Sequence, residues 1–340
     1  MGYKITFASL TDVAGFMRFM HDVWRSDHIL SKHRDLLLYD FQEGERLNIA
    51  IAKDDNDRIV GAFGFMKYSQ SEIPDLSGSI WKVSSDIKEP MLGLKLREYV
   101  IKNIPHRYFA APGTNVETKP IYEVLNMNWH RLDHYYILNR NLNSYKIATV
   151  SDSVNTSMHD DFLNKWDISV KLAGSASELK VFPFEKYSNI APYKDYSYLK
   201  KRFFEHPIYK YDVYLVSEND VPLNIVVCRT ASHLDASVYR MVDYYGPEST
   251  LIRIVPHIYN KSVDCRYEYL DFVCSGFNER IIFESGFSKL NIEEEDVIIP
   301  NYFEPFLKQN KPIYAVSDKS KSLQFRMCKA DGDQDRPNII

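Results

Sequence analysis

An excess of one charge, paired cysteines and long apolar runs are all missing from this sequence. Its 42 basic and 46 acidic side chains leave a net charge of −4 over 340 residues. That balance supplies no positive field for nucleic acid or for an anionic membrane. The four cysteines, Cys228, Cys265, Cys274 and Cys328, are scattered without a C-x-x-C pair. They read as buried cytosolic thiols, not as zinc ligands or disulfides. No apolar run approaches the roughly 18 residues of a membrane span. The opening "MGYKITFASLTDVAGF" lacks a charged segment followed by a long apolar core, so no secretory leader is expected. Gly-x-Ser-x-Gly is absent too, and no cysteine stands near a suitable histidine, which argues against nucleophilic catalysis. These absences predict a soluble, cytoplasmic chain with no metal.

Glycine is scarce, at 13 residues, so its placement carries information. One glycine and a proline sit in "KEPMLGLKLREYV", between an apolar run that reads as a strand ("GSIWKV") and one that reads as a helix ("LGLKLREYVIKNI"). A turn of that kind is either a plain connection or an anion cradle, with backbone N–H groups at a helix start aimed at a phosphate.

The length points to more than one core. From the N-terminus, "KITFAS" reads as a strand and "LTDVAGFMRFMHDVWRSDHIL" as a helix by its apolar spacing. "LNIAIAKDDNDRIVGAFGFMKY" is a hairpin around an acidic turn. Strand, helix, strand, helix and strand follow, to "LDHYYILN". The polar stretch 143–178 breaks the pattern and reads as a connector with some local structure. The order then restarts, with hairpin turns about 163 residues apart and the later helices about 161 apart. A near-constant offset argues for internal duplication. The expected fold is α/β: two tandem domains, 1–142 and 179–340, each a mixed, mostly antiparallel sheet flanked by helices.

These residues resemble the GCN5-related N-acetyltransferase superfamily, present twice. The family's cofactor motif, Arg/Gln-x-x-Gly-x-Gly/Ala, finds a counterpart in "KEPMLG", with Lys88 first, Met91 at the first glycine and Gly93 at the last. Met91 departs from the pattern, and Pro90 removes one N–H donor. Val83 stands five residues before Lys88, the usual spacing from the strand that pairs with the pantetheine arm. Asn115 and Tyr122 in "NVETKPIYEVLNMNW" match the family's Asn and Tyr, seven residues apart. The resemblance implies acetyl-CoA as co-substrate. It implies contacts from Trp81, Val83, Lys88, Met91, Leu92, Gly93, Leu94 and Asn115, with Tyr122 protonating the leaving thiolate.

In the second copy "GPESTL" has no glycine at the helix entry, and Phe283 stands where the alignment puts the tyrosine. The resemblance implies that this copy does not bind acetyl-CoA productively. It either shapes the acceptor pocket or dimerises, or it is a degenerate structural half.

"HDVWRSDHIL", "LDHYYILN", "IPNYFEPF" and "KADGDQDRPN" also look like two-domain members associated with bacterial surface-polysaccharide synthesis. That narrower resemblance implies a nucleotide-linked amino sugar as the acceptor. Candidate acceptor contacts are His28 as a base near neutrality, His134 beside the cleft, and Glu304 as a partner for an ammonium. Asp333 belongs to "DGDQD", where Asp331, Asp333 and Asp335 lack the glycine and glutamate positions of a calcium loop. Two readings of that segment stay open: a solvated acidic tail, or a tail folded back onto a sugar hydroxyl or Arg336. Other functions also stay open: an aminoacyl-tRNA-dependent transferase of the same double plan, which the net acidity disfavours, and a non-catalytic scaffold.

Overall fold

The computed structural model describes residues 2–151, 168–301 and 307–337. The first half begins with β1 (Lys4–Ser9) and α1 (Val13–Phe19), which runs into a π-turn over Met20–Trp24. The long helix expected here stops at Arg25, whose backbone is extended, and a short turn of helix follows at Ile29–Lys32. Next come α2 (Arg34–Phe41), β2 (Arg46–Lys53), β3 (Ile59–Lys67) and β4 (Asp75–Val83). The half closes with α3 (Leu92–Asn103), β5 (Tyr108–Pro112), α4 (Lys119–Val124) and β6 (Asn128–Leu138).

The second half repeats this order. β7 (Ser169–Leu172) lies inside the expected connector and pairs with the first hairpin strand of its half. It is followed by α5 (Tyr196–Leu199), which again runs into a π-turn, at Lys200–Phe204. β8 (Asp212–Glu218), β9 (Val221–His233) and β10 (Ala236–Tyr245) form the antiparallel meander. α6 (Leu251–Asp264), β11 (Tyr269–Ser275), α7 (Glu279–Glu284) and β12 (Ser288–Lys289) complete the repeat. Two later strands, β13 (Ile313–Ser317) and β14 (Met327–Cys328), have other duties.

One mixed sheet runs through both halves, in the order β1-β2-β3-β4-β5-β13-β6-β11-β10-β9-β8-β7. β6 joins the halves because it serves both. Its first residues, Asn128–Leu132, pair with β13, and Asp133–Leu138 pair with β11. β13, from near the C-terminus, fills the place between β5 and β6 of the first half. Each half therefore completes its sheet with a strand from the other.

Helices cover the faces by ordinary amphipathic packing. Leu92, Leu96 and Val100 of α3, at i, i+4 and i+8, are buried against Ala52, Val60 and Phe63. Burial of each such side chain contributes roughly 1.5–3 kcal/mol. Asp75, the first residue of β4, ties the halves together. Its carboxylate, 2% exposed, accepts two bonds from Arg107 (2.8 and 2.6 Å) and one from the Tyr193 N–H (2.6 Å). All four cysteines are free, and three are buried. Among the described residues, no helix is long and apolar enough to cross a membrane.

Candidate active site

Two parallel neighbours part company in the first half. β4 pairs with β5 only at Asp75–Ser77 against Tyr108–Ala110. Beyond that point β4 stays with β3, while β5 follows β13. A bulge at Ser79 helps turn β4 away, since Gly64 pairs with Ile80 and the next residue, Phe65, with Gly78. Into the resulting V opens a cavity of about 770 Å³.

Its walls gather most of the residues singled out in the sequence. Trp81, Val83, Met91, Gly93, Leu94, Asn115, Tyr122, His28 and Asp333 all line it. The Ser84 N–H bonds the Val60 carbonyl at 2.8 Å, on the β3 side. Strand alternation therefore turns the N–H groups of Trp81 and Val83 to the open edge. α3 points its N-terminus at the same space. Met91 is its N-cap and supplies no side-chain bond, so nothing caps the Gly93 and Leu94 N–H groups from the side. A helix start left in this state favours an anion.

Gly93 has a second reason to be glycine. Trp81 Nε1 donates to the Gly93 carbonyl at 2.9 Å, and a Cβ on Gly93 would sit 3.0 Å from that nitrogen. The indole also meets Tyr122 and Phe63 edge-on, at 5.5 and 5.8 Å. Trp81 thus links the helix entry to the tyrosine. Tyr122 is 5% exposed, and burial pushes its phenol up to about 12, with Arg97 and Thr114 opposing. At neutral pH it holds its proton and acts as a donor.

His28 is unsuited to the base role expected of it. Its Nδ1 accepts the Leu30 N–H at 3.2 Å, capping the short helix, so the neutral ring carries its proton on Nε2. Burial, with Arg336 and Arg25 adding repulsion, lowers it to about 4. His28 therefore presents a donor to the cavity.

Other expected contacts lie elsewhere. Lys88 is exposed and does not line the cavity, although its neighbours Ile87 and Glu89 do. The Leu92 side chain is in the core, and its N–H is engaged by the Glu89 carbonyl at 3.2 Å. His134 is 5% exposed and locked between Asp271 and Asn301, at 3.0 Å each, in the second half. Asn115 lines the cavity but also caps its own turn, accepting the Glu117 N–H at 3.1 Å. Glu304 lies outside the described residues.

The acidic tail folds back into the site, and its three carboxylates diverge. Asp331 meets the buried Lys194 at 2.7 Å, which Asp243 also contacts at 2.5 Å. Asp335 is held by Arg229, which with Arg202 keeps it well below the usual carboxylate range against the cost of burial. Asp333 faces the cavity, accepting from Ser79 Oγ at 2.8 Å and from Arg336 at 3.2 Å. Arg336 also reaches Asp40 at 2.9 Å. Gly332 makes the passage possible. Its φ is +63°, and a Cβ there would lie 2.4 Å from Ser77 Oγ. The sequence offers Arg336 as an ion-pair partner of the folded-back tail, and the structure shows that pair; Ser79 is a contact that the sequence does not reveal. A bulge depends on the partner strand, and only the tail's return unites Ser79 with Asp333.

The corresponding V in the second half is filled. β10 and β11 pair at Tyr239–Met241 against Leu270–Phe272, and β10 bulges at Val242. There β14 pairs with Cys274 and Ser275 of β11, and the Ala330 N–H bonds the Val242 carbonyl at 2.9 Å. The tail thus occupies the space that stays open in the first half. At the α6 entry stands Glu248, a carboxylate at a place where an anion would otherwise be favoured. The alignment of Phe283 with Tyr122 shifts by one residue. Ile282, like Tyr122, is the fourth residue of its helix and is buried, whereas Phe283 is 45% exposed.

The fold as a whole has counterparts among solved structures. The fold is that of GCN5-related N-acetyltransferases. A GCN5-related N-acetyltransferase from Anabaena variabilis superposes with a TM-score of 0.55 at 9% identity, over 85% of this chain and 71% of that one. One from Kribbella flavida gives 0.50 at 10% identity, over 93% and 70%. A glucosamine N-acetyltransferase region of a fungal multi-domain β-N-acetylglucosaminidase gives 0.52 at 11% identity, and 93% of this chain spans 38% of that one. No protein-family model and no curated protein matches the sequence.

Proposed function

We propose that this chain is an acetyl-CoA-dependent N-acetyltransferase acting on an amino sugar, in the service of surface-polysaccharide synthesis. Residues 1–142 bind acetyl-CoA. Residues 179–340 and their tail build the acceptor side. The observation that carries the reading is the V between β4 and β5, where an uncapped helix N-terminus, outward strand N–H groups and a buried, protonated tyrosine line one cavity. The fungal glucosamine N-acetyltransferase region of like fold supports the choice of acceptor.

Each part has a chemical task. The Gly93 and Leu94 N–H groups favour the pyrophosphate. The Val83 N–H suits the thioester carbonyl, whose oxygen gains charge in the transition state. The acceptor ammonium loses two protons in the net reaction: one ends on the thiol and one in solvent. Its nitrogen forms the C–N bond as the C–S bond breaks, and Tyr122 donates the proton that neutralises the thiolate. Asp333 is the carboxylate placed to hold the acceptor nitrogen, a task the sequence also assigned to Glu304.

Calorimetry with acetyl-CoA tests the reading, paired with a thiol-trapping assay using glucosamine. Binding at one site per chain, with thiol release that depends on the amine, is expected. A folded protein that binds no acetyl-CoA refutes it.

A further inference from the structure

Trp24 lines the cavity without a part in the proposed chemistry. It is the last residue of the π-turn Met20–Trp24, after which the chain runs extended at Arg25. Val23, just before it, packs against the core of the first half. Trp24 is instead 40% exposed and meets the His28 ring, with centroids 5.5 Å apart. The second half also ends its π-turn, Lys200–Phe204, on an aromatic residue, and there Phe204 packs against the core. The same turn thus serves packing in one half and leaves an indole at a cavity in the other. A single exposed apolar side chain on an open surface would mean little. In a concave site that also carries fixed polar groups, it is a surface that a ligand meets.

Those polar groups adjoin it. His28 presents its Nε2–H to the cavity. Arg336 is near enough for its charge to act on His28, and it bonds Asp333 at 3.2 Å. Asp333 is further fixed by Ser79 at 2.8 Å and by the Gln334 amide at 3.1 Å. An indole plane, a donor for a hydroxyl and a fixed carboxylate therefore follow one another along the wall. A pyranose amine has the matching parts: a face of C–H groups to cover the plane, hydroxyls around its rim, and an ammonium. The large flat apolar area of an indole rewards such a face. An open chain with the same groups has none, and it loses more conformational freedom on binding.

We infer that Trp24 is the platform on which the sugar ring of the acceptor stacks, with His28 bonding a hydroxyl at its edge and Asp333 holding the amine. The inference rests on the acetyl-transfer reading and deepens it, because the site then selects a ring and not merely an amine. Trp24 sets specificity and takes no part in bond making.

Calorimetry, run without cofactor and again with CoA, compares glucosamine with glucosaminitol, an open-chain amine that carries its hydroxyls. The wild-type protein is expected to bind glucosamine at least tenfold more tightly. Trp24→Ala should weaken glucosamine about tenfold, weaken glucosaminitol little and leave acetyl-CoA affinity unchanged. Trp24→Leu keeps apolar bulk without a plane and should behave alike, so it serves if Trp24→Ala does not fold. Trp24→Phe restores a plane and should recover most of the loss. In steady-state kinetics the loss should fall on KM, not on kcat. Equal weakening of both amines would make the indole a seat for the ammonium, and weakened acetyl-CoA binding would put it on the cofactor side. Either result overturns the assignment, as does a folded wild-type protein that binds glucosamine no better than glucosaminitol, or not at all. Acetyl-CoA binding in that last case would leave the cofactor reading standing.

Discussion

Two V-shaped clefts form in this chain, each where a bulged strand leaves its parallel neighbour, and their contents differ. In the first, Ser79 marks the bulge and the space beyond it is open. In the second, Val242 marks it and the tail closes the gap, with Ala330 bonded to the bulge itself. The same backbone device occurs twice. What a cleft can do depends on whether another part of the chain claims its edge. The tail that seals the second cleft then walls the first, placing Asp333 at the cavity. The half whose own cleft is filled thereby lends a wall to the open cleft of its neighbour.

The largest expected effect lies at the tyrosine. Tyr122→Phe keeps the ring against Trp81 and removes the proton, so kcat should fall about 10²- to 10⁴-fold while acetyl-CoA affinity changes little. Ile282→Val, at the matching place in the second half, should leave kcat intact and cost only about 0.5–1.5 kcal/mol of stability. Steady-state kinetics and denaturant titrations on both variants decide. Equal effects on kcat would break the comparison.

Next comes the helix entry. Gly93→Asp places a carboxylate beside the cradle and presses its Cβ on Trp81. Acetyl-CoA affinity should drop at least tenfold, about 1.4 kcal/mol, with altered tryptophan fluorescence. The matching change at the second entry, Glu248→Gly, should create no new site, because the tail still fills the cleft. A second acetyl-CoA per chain in calorimetry would contradict this.

The tail's passage is the third point. Gly332→Ala meets Ser77 Oγ and forces a residue with a Cβ into the left-handed region, so a loss on the order of 1–3 kcal/mol is expected. Thermal unfolding reads the loss, and weakened acceptor binding should accompany it if Asp333 is displaced. An unchanged melting temperature would show that the tail is not held as described.

The smallest effect is a pH dependence. Burial lowers His28 and His130 to about 4 and His206 to about 3, against a usual value near 6.5. As pH falls from 6.5 towards 4, the unfolded chain takes up protons that the folded chain refuses, so stability falls through that window. The cost by pH 5 should be about 1 kcal/mol per histidine, allowing for partial exposure. Urea midpoints at pH 7.5 and 5 measure it, and His28→Gln should reduce the difference. Equal midpoints would mean that these rings are protonated in the fold.

Much of the architecture was legible because it is local. The run "KITFAS" is β1 to the residue, and the acidic turn in "AKDDNDRIV" separates β2 from β3, since a period of two and a turn signal are written in neighbouring residues. Tyr122, Gly93 and Val83 could be picked out because their spacing resembles a known pattern. The first helix was only partly legible. Its apolar spacing continues past Phe19, yet the backbone loosens into a π-turn and then extends at Arg25. Lys88 and Leu92 fell on the motif but not on the cavity, since the turn's geometry decides which side chains face inward.

The sequence by itself determined the element order, its repetition, the glycine at the α3 entry and the lack of a proton donor in the second copy. Only the tertiary structure decided that β13 crosses into the first sheet, that β14 and its tail fill the second cleft, and that Asp333 meets Ser79. Those pairings join residues far apart in the chain. Their stability comes from backbone groups and buried charges that must find partners, and no local period records which partner will be there.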